Sequence, residues 1–355
     1  MANFSTFHSF SPLTLSFKSL LRGFIYDETS TAFHVAGPRG DDGVQQTLHT
    51  YGSNFTYTPL NNQGTVEPKS GTLNGFSVLD YDTIAGKYSD NLYVANISVK
   101  IEKIVSVAST KDPFDDYALV KTIFGKNDVF NGSDVVRDEN RKIINTGDDF
   151  LQSFNGNDTL YGNGGADTLD GGSGRDTSSY EFAGGRVHAD LRGELAGVGE
   201  AKGDVFVSIE NVIGSRYADA IHGDDASNYL NGMLGKDTLY GHGGADKFDF
   251  TTAIKTTSAD VIGDFEHGVD DIRLEGDIFK DIGFGRGGAM QAKHFYTGTA
   301  AHDANDRIIY DRASGKLFYD ADGDTAGGVK AVQFATLLKV DGVAPELSQT
   351  DFLII

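Results

Sequence analysis

The sequence predicts an all-β protein built around a solenoid, and three observations carry the prediction. Glycine recurs every nine residues at Gly147, Gly156, Gly165 and Gly174, and an aspartate follows each at Asp149, Asp158, Asp167 and Asp176. Two residues further on stand Leu151, Leu160 and Leu169, where Ser178 breaks the series. The pattern returns over residues 214–249, with Asp219, Asn228, Asp237 and Asp246 followed by Ile221, Leu230, Leu239 and Phe248, and with glycines at Gly235 and Gly244. Short repeats in fixed register announce stacked coils, each contacting only its neighbours.

Each nonapeptide divides into two parts. Six residues rich in Gly, Asn and Asp make a turn, because glycine tolerates positive φ and lets backbones approach closely. The other three supply one inward apolar side chain, enough for a very short strand. Two units close one coil, so residues eighteen apart should stack at a strand spacing of about 4.8 Å. That places Asp149 over Asp167, Asp158 over Asp176 and Asp219 over Asp237. Carboxylates that close repel strongly unless a cation lies between them. The ligands on offer are carboxylates and glycine carbonyls, hard oxygens that suit calcium rather than zinc or copper. A glycine-rich linker would not hold Leu and Asp in register. The expected metal residues are therefore Asp149, Gly156, Asp158, Gly165, Asp167, Gly174, Asp176, Asp219, Asn228, Gly235, Asp237, Gly244 and Asp246, holding several calcium ions.

Stretches such as "GNDTLYGNGGADTLDGGSGRDT" and "GMLGKDTLYGHGGADKFDF" resemble the hemolysin-type calcium-binding repeats of RTX (repeats-in-toxin) proteins. That resemblance implies a parallel β-roll with calcium in its turns. It says nothing more about activity, since the same module is attached to proteases, lipases, epimerases, adhesins and pore formers.

At 355 residues the chain suits two or three domains. A formal charge of −21 argues against nucleic acid or an anionic membrane as an electrostatic partner. Cysteine is absent, so no disulfide or thiolate metal site is available, and bound metal can serve as the staple instead. No apolar run is long enough for a transmembrane helix. The opening "MANFSTFHSFSPLTLSFKSLLRGF" lacks a basic leader and a small-residue cleavage site, which makes a poor signal peptide.

Residues 1–120 alternate apolar and polar side chains, as in Leu92-Tyr93-Val94-Ala95-Asn96-Ile97-Ser98-Val99, between Gly and Asn/Pro clusters. They predict an N-terminal β domain, sandwich-like, with a short helix possible over residues 12–23. Asp112-Pro113 predicts a helix to about residue 122 that caps the roll. The roll is expected over 121–250, with Phe124–Phe130 as a degenerate first coil and 131–143 as a charged loop. Between the blocks, "VHADL" and "DVFVSIENVIGS" predict wider coils with a bulged loop around Gly193–Gly203.

From residue 251 the turns lengthen, and "DVIGDFEHGVDDIRLEG" and "DRIIYDRASGKLFYDADGD" resemble the module that follows the roll in serralysin-type proteases. Arg307–Tyr310 and Lys316–Tyr319 should form a hairpin across Asp311–Gly315. The ending "SQTDFLII" resembles the uncleaved address of substrates of type I (ABC-transporter) secretion machinery, although a buried last strand would look the same. Residues 251–355 are thus expected to be a C-terminal β-rich export module.

Motifs for catalysis are scarce. None of the nine histidines begins a His-Glu-x-x-His zinc motif, and each reads as a surface or turn residue. A Gly-x-Ser-x-Gly elbow is absent. Gly283-Phe284-Gly285-Arg286-Gly287-Gly288 matches a dinucleotide fingerprint only formally, in no βαβ context. The adjacent pairs Asp148/Asp149 and Asp224/Asp225 point to no shared glycosidase cleft. Asp320, Asp322 and Asp324 form a further calcium candidate, but Gly323 and Ala331 do not fit an EF-hand, and an ordinary acidic turn reads equally well.

These readings converge on a secreted, extracellular calcium-binding protein whose roll folds once calcium is available. For the whole molecule a surface or glycan interaction protein is the first expectation. A polysaccharide-active enzyme with its site in residues 1–120 is the alternative.

Overall fold

The computed structural model describes residues 148–355 apart from 256–257, 284–287, 325–327, 329 and 340. Before residue 148 it describes the backbone of nine strands. The helices expected over 12–23 and 112–122 lie outside the described residues. Clustering of contacts divides the chain into two compact units, Met1–Asp176 and Thr177–Ile355.

In the first unit, strands Phe24–Glu28, Ala32–Arg39, Gln45–Tyr57, Pro68–Asp82 and Lys87–Lys100 pair antiparallel in sequence order. Antiparallel strands this long, up to 15 residues, that neighbour one another in sequence order make a meander. Among the described residues the sandwich-like N-terminal domain is therefore a single sheet. Its last strand also pairs with Asn3–Thr6, which runs parallel to Val129–Asn131. Val129–Asn131 in turn lies parallel to Thr159–Tyr161 with Phe130 opposite Leu160, so the end of the expected degenerate first coil is a strand of this sheet, while residues 124–128 lie outside the described residues. The stretch expected to be a charged loop contains a small hairpin, Val136–Arg137 with Ile143–Asn145. On the other face of the roll, Phe150–Gln152 lies parallel to Thr168–Asp170 with Leu151 opposite Leu169, the predicted eighteen-residue step.

The second unit carries two sheets of mostly three-residue strands. One runs Thr177–Ser179, Asn211–Ile213, Tyr229–Asn231, Lys247–Phe250, Asp271–Leu274 and Phe352–Ile354, all parallel. The other runs His188–Asp190, Ala220–His222, Thr238–Tyr240, Asp260–Ile262 and Val332–Leu337, also parallel. Lys316–Tyr319 and Ile308–Asp311 then extend it as the expected antiparallel hairpin. The parallel β-roll predicted from the repeats is thus the observed architecture, and among the described residues there is no α-helix.

A three-residue strand cannot hold itself, so stability comes from stacking. Val212, Leu230, Phe248, Ile272 and Phe352 form one inward column, and Ile221, Leu239 and Ile262 another, all fully buried. Each such side chain contributes about 1.5–3 kcal/mol through burial. Register partners need not be eighteen apart: the insert between the blocks separates Ala189 from Ile221, and longer turns separate Leu239 from Ile262.

The C-terminus is part of this core. Phe352 is 0% exposed and Ile354 6%. Asp351 anchors the strand by accepting hydrogen bonds from the Ser348 N–H at 2.6 Å and the Gly268 N–H at 3.0 Å, with His267 Nδ1 at 2.8 Å. Deleting Asp351–Ile355 is therefore expected to lower the melting temperature of the calcium-loaded protein by several degrees, since two core side chains leave with it. An unchanged melt would contradict the burial of this strand.

Candidate metal sites

The aspartates of the nonapeptides are among the most buried polar residues of the described chain. Asp149, Asp158, Asp167, Asp176, Asp219, Asp237 and Asp246 are all at most 4% exposed. Each sits one residue before a short strand, where its side chain turns into the bend instead of out to solvent. The stacking predicted from the eighteen-residue step is visible as a hydrogen bond from each backbone to the carboxylate one coil on. In the first unit the Asp149 N–H donates to Asp167 Oδ1, and the Asp158 N–H to Asp176 Oδ1, both at 2.8 Å. In the second the Asp219 N–H donates to Asp237 Oδ1 at 2.8 Å and the Asn228 N–H to Asp246 Oδ1 at 2.9 Å.

The ladder continues beyond the recognisable repeats. The Asp237 N–H donates to Asp260 Oδ1 and the Asp246 N–H to Asp270 Oδ1, each at 2.9 Å. The sequence reading missed Asp260 and Asp270 because they follow after 23 and 24 residues instead of eighteen. The local signal was present: Asp260-Val261-Ile262 and Asp270-Asp271-Ile272 repeat the acid-then-apolar step of the nonapeptide.

One oxygen of each accepting carboxylate is used in this way, and in Asp167, Asp219, Asp237 and Asp246 Oδ2 lies over the first glycine of its own turn. A Cβ at Gly232 would run into Asp237 Oδ2, and one at Gly241 into Asp246 Oδ2. Of the glycines expected as metal residues, Gly174, Gly235 and Gly244 meet carbonyls of the previous coil instead. A Cβ at Gly174, where φ is +144°, would strike Gly156 O, and one at Gly235 would strike Tyr217 O and Asp237 Oδ1. Gly156, Gly165 and Gly244 also have positive φ. The turns therefore bring carboxylate and carbonyl oxygens together with no side chain between.

Electrostatics shows what such a turn lacks. Asp237 Oδ2 is buried and accepts no hydrogen bond. Burial first, and then the Asp260 and Asp219 carboxylates, push Asp237 up to about 8. Burial likewise raises Asp246 to about 7, with Asp270, Asp264 and Asp224 adding to it, and raises Asp260 to about 7. An all-oxygen donor set, an unsatisfied buried oxygen and carboxylates reluctant to ionise together fit a hard divalent cation.

Two positions of the ladder, Asp219 in the column of Asp237 and Asn228 in that of Asp246, differ from Asp237. Ser215 occupies the second place of the turn before Asp219, and its Oγ donates to Asp219 Oδ1 and Oδ2 at 2.9 Å while its N–H donates to Oδ2 at 2.5 Å. The Val187 N–H donates to Asp219 Oδ1 as well. Asn228 is neutral: its Oδ1 accepts the Asp224 N–H, and its Nδ2 donates to Glu210 O and Asp224 Oδ1.

The Asp320, Asp322 and Asp324 turn is of another kind. Asp320 is 6% exposed and its Oδ1 accepts the N–H groups of Asp322 and Gly323, while Asp324 is exposed. Burial raises Asp320, with the Asp322 carboxylate adding to it. Among the described residues, His302, Asp303 and Asp306 form a group whose ligand atoms all lie within 4.8 Å of one another. Not every histidine is a surface or turn residue, for His294 is 7% exposed and its Nδ1 bonds Asn305 O at 2.9 Å.

A family model, described as the RTX calcium-binding nonapeptide repeat (4 copies), matches residues 143–177 and 211–249. The chain carries RTX calcium-binding repeats. The two matched segments are the two blocks whose carboxylates stack in the structure, and calcium is the ion that RTX repeats bind. No curated protein matches the chain.

The raised carboxylates make a prediction about acid. An aspartate with an ordinary value of 3.8 in the unfolded chain and about 8 in the roll binds more protons when folded. Its ionisation therefore costs the metal-free fold stability progressively as pH rises from about 4 to about 8. Calcium-free protein should accordingly show more β structure at pH 5 than at pH 8 by circular dichroism, and Asp237→Asn should narrow the difference. Equal spectra at the two pH values would refute this.

Proposed function

We propose that this is a secreted protein whose roll folds when calcium fills its turns outside the cell, and whose N-terminal β domain contacts a glycan or cell surface. Under this reading residues 1–120 are the contacting domain, 121–250 the calcium-binding roll and 251–355 an export module. The observation that carries the calcium-gated fold is the unsatisfied, buried Asp237 Oδ2 in a column of carboxylates. Asp149, Asp158, Asp167, Asp176, Asp237 and Asp246 would hold calcium through their carboxylates, with the carbonyls that meet Gly174, Gly235 and Gly244, and with Gly156 and Gly165 taking the same place in their own turns. Asp260 and Asp270 extend the set. Asp219, already satisfied by Ser215, and neutral Asn228 would contribute least.

The mechanism is a fold gated by an ion. Without a cation at neutral pH the stacked carboxylates repel, so the chain stays open and threadable. Extracellular calcium modules bind at about 10⁻⁴–10⁻³ M, a concentration reached only outside the cell, so folding and export are coupled. Asp351–Ile355 would serve as the address read by a type I exporter before folding and as the last strand of the roll after it. Among the described residues no helix is long and apolar enough to cross a membrane.

Calcium added to the chelated full-length chain should produce β structure cooperatively, and magnesium at equal concentration should not, because it demands tighter octahedral geometry and sheds water reluctantly. Identical circular dichroism in chelator and in calcium would overturn the proposal. The surface role is read separately, by binding of the calcium-loaded full chain to a glycan array.

A further inference from the structure

The outer face of the second sheet gathers side chains that the metal turns leave unused. His188, Ala220 and Thr238 are register partners on three adjacent parallel strands. Arg186, Ala218 and Lys236 each stand two residues earlier and face the same way, while Val187, Asp219 and Asp237 between them are buried. Arg186 and Lys236 are thus two strand spacings apart, about 9.6 Å, with the small side chain of Ala218 between them. The result is a slot of about 310 Å³ walled by Arg186 and His188 on one side and Lys236 and Thr238 on the other. Ala218 and Ala220 line its floor, and Val198 reaches it from the insert between the blocks.

The charges of this slot are available. Among the described residues the side chains of Arg186 and Lys236 make no hydrogen bond and no ion pair. His188 Nε2 is buried and has no hydrogen-bond partner. Asp219, the one acid lining the slot, is 3% exposed, and both its oxygens already accept from Val187 and Ser215. Two free cations converging on a concave site stand out on a chain of formal charge −21.

We infer that this slot binds a small oxyanion, a carboxylate or sulfate group. The guanidinium of Arg186 presents a planar fork that matches two oxygens of such a group, and Lys236 adds a point charge from the opposite wall. Thr238, level with His188, supplies a hydroxyl donor. The width is set by register, because a larger residue at position 218 or 220 would fill the gap between the cations. The inference does not rest on which carboxylates hold calcium, but it needs the roll folded.

The test is titration of the full-length, calcium-loaded protein with acetate and with sulfate at constant ionic strength, chloride serving as the reference. Binding is read from backbone amide shifts at Arg186–His188 and Lys236–Thr238. Saturable shifts with acetate or sulfate, absent with chloride, are expected. Arg186→Gln/Lys236→Gln should weaken binding at least tenfold, and Ala218→Leu should do the same with no change of charge. Lys293→Gln, an exposed cation elsewhere, should leave it unaltered. Unchanged calcium-dependent circular dichroism of each variant shows that the roll is intact. Shifts that follow chloride equally, or binding that survives both the charge-removing and slot-filling variants, would overturn the inference. Loss on charge removal but not with Ala218→Leu would also overturn it, since general surface attraction would then suffice.

Discussion

A buried carboxylate that accepts one backbone N–H and leaves its second oxygen facing a glycine is the contact on which the roll depends. It links each coil to the next through hydrogen bonds such as Asp219 N–H to Asp237 Oδ1 at 2.8 Å. It also sets the electrostatic problem that the coils share. The apolar columns headed by Val212 and Ile221 favour closure of the stack, yet closure carries the aspartates out of water with them. Hydrophobic burial and carboxylate desolvation therefore rise together as coils are added. A hard cation relieves the second without disturbing the first.

Two details show how local chemistry tunes that balance. At Asp219 the serine at position 215 supplies its N–H and a hydroxyl shared between both oxygens, donors of a kind that Asp237 Oδ2 does not have. At Asn228 the charge is removed altogether, and the amide satisfies its own turn and the Glu210 carbonyl. Each column is consequently uneven: in the first, Asp237 lies between the Asp219 and Asp260 carboxylates and is pushed up to about 8.

Much of this was legible in the sequence because the solenoid is nearly one-dimensional. A fixed step of eighteen residues is enough to place Leu151 on Leu169 and Asp149 on Asp167, with no knowledge of distant contacts. The step fails where turns change length, and there the reading failed as well. Asp260 and Asp270 kept their place in the ladder but lost their spacing. The terminal strand was ambiguous for a different reason: Phe352-Leu353-Ile354-Ile355 states only that it is apolar, and its parallel partner, Asp271–Leu274, lies some eighty residues away. The Arg186–Lys236 slot could not be read at all, since it depends on register across the insert.

That insert has one more effect. In the second unit the two acidic columns do not begin with aspartate: Val187 stands one coil before Asp219, and Glu210 one coil before Asn228. A valine carries no charge and the glutamate is only half-buried, so neither passes strong repulsion along the stack. Within the second unit the crowding of acids therefore builds away from the head of each column, towards Asp237 and Asp246.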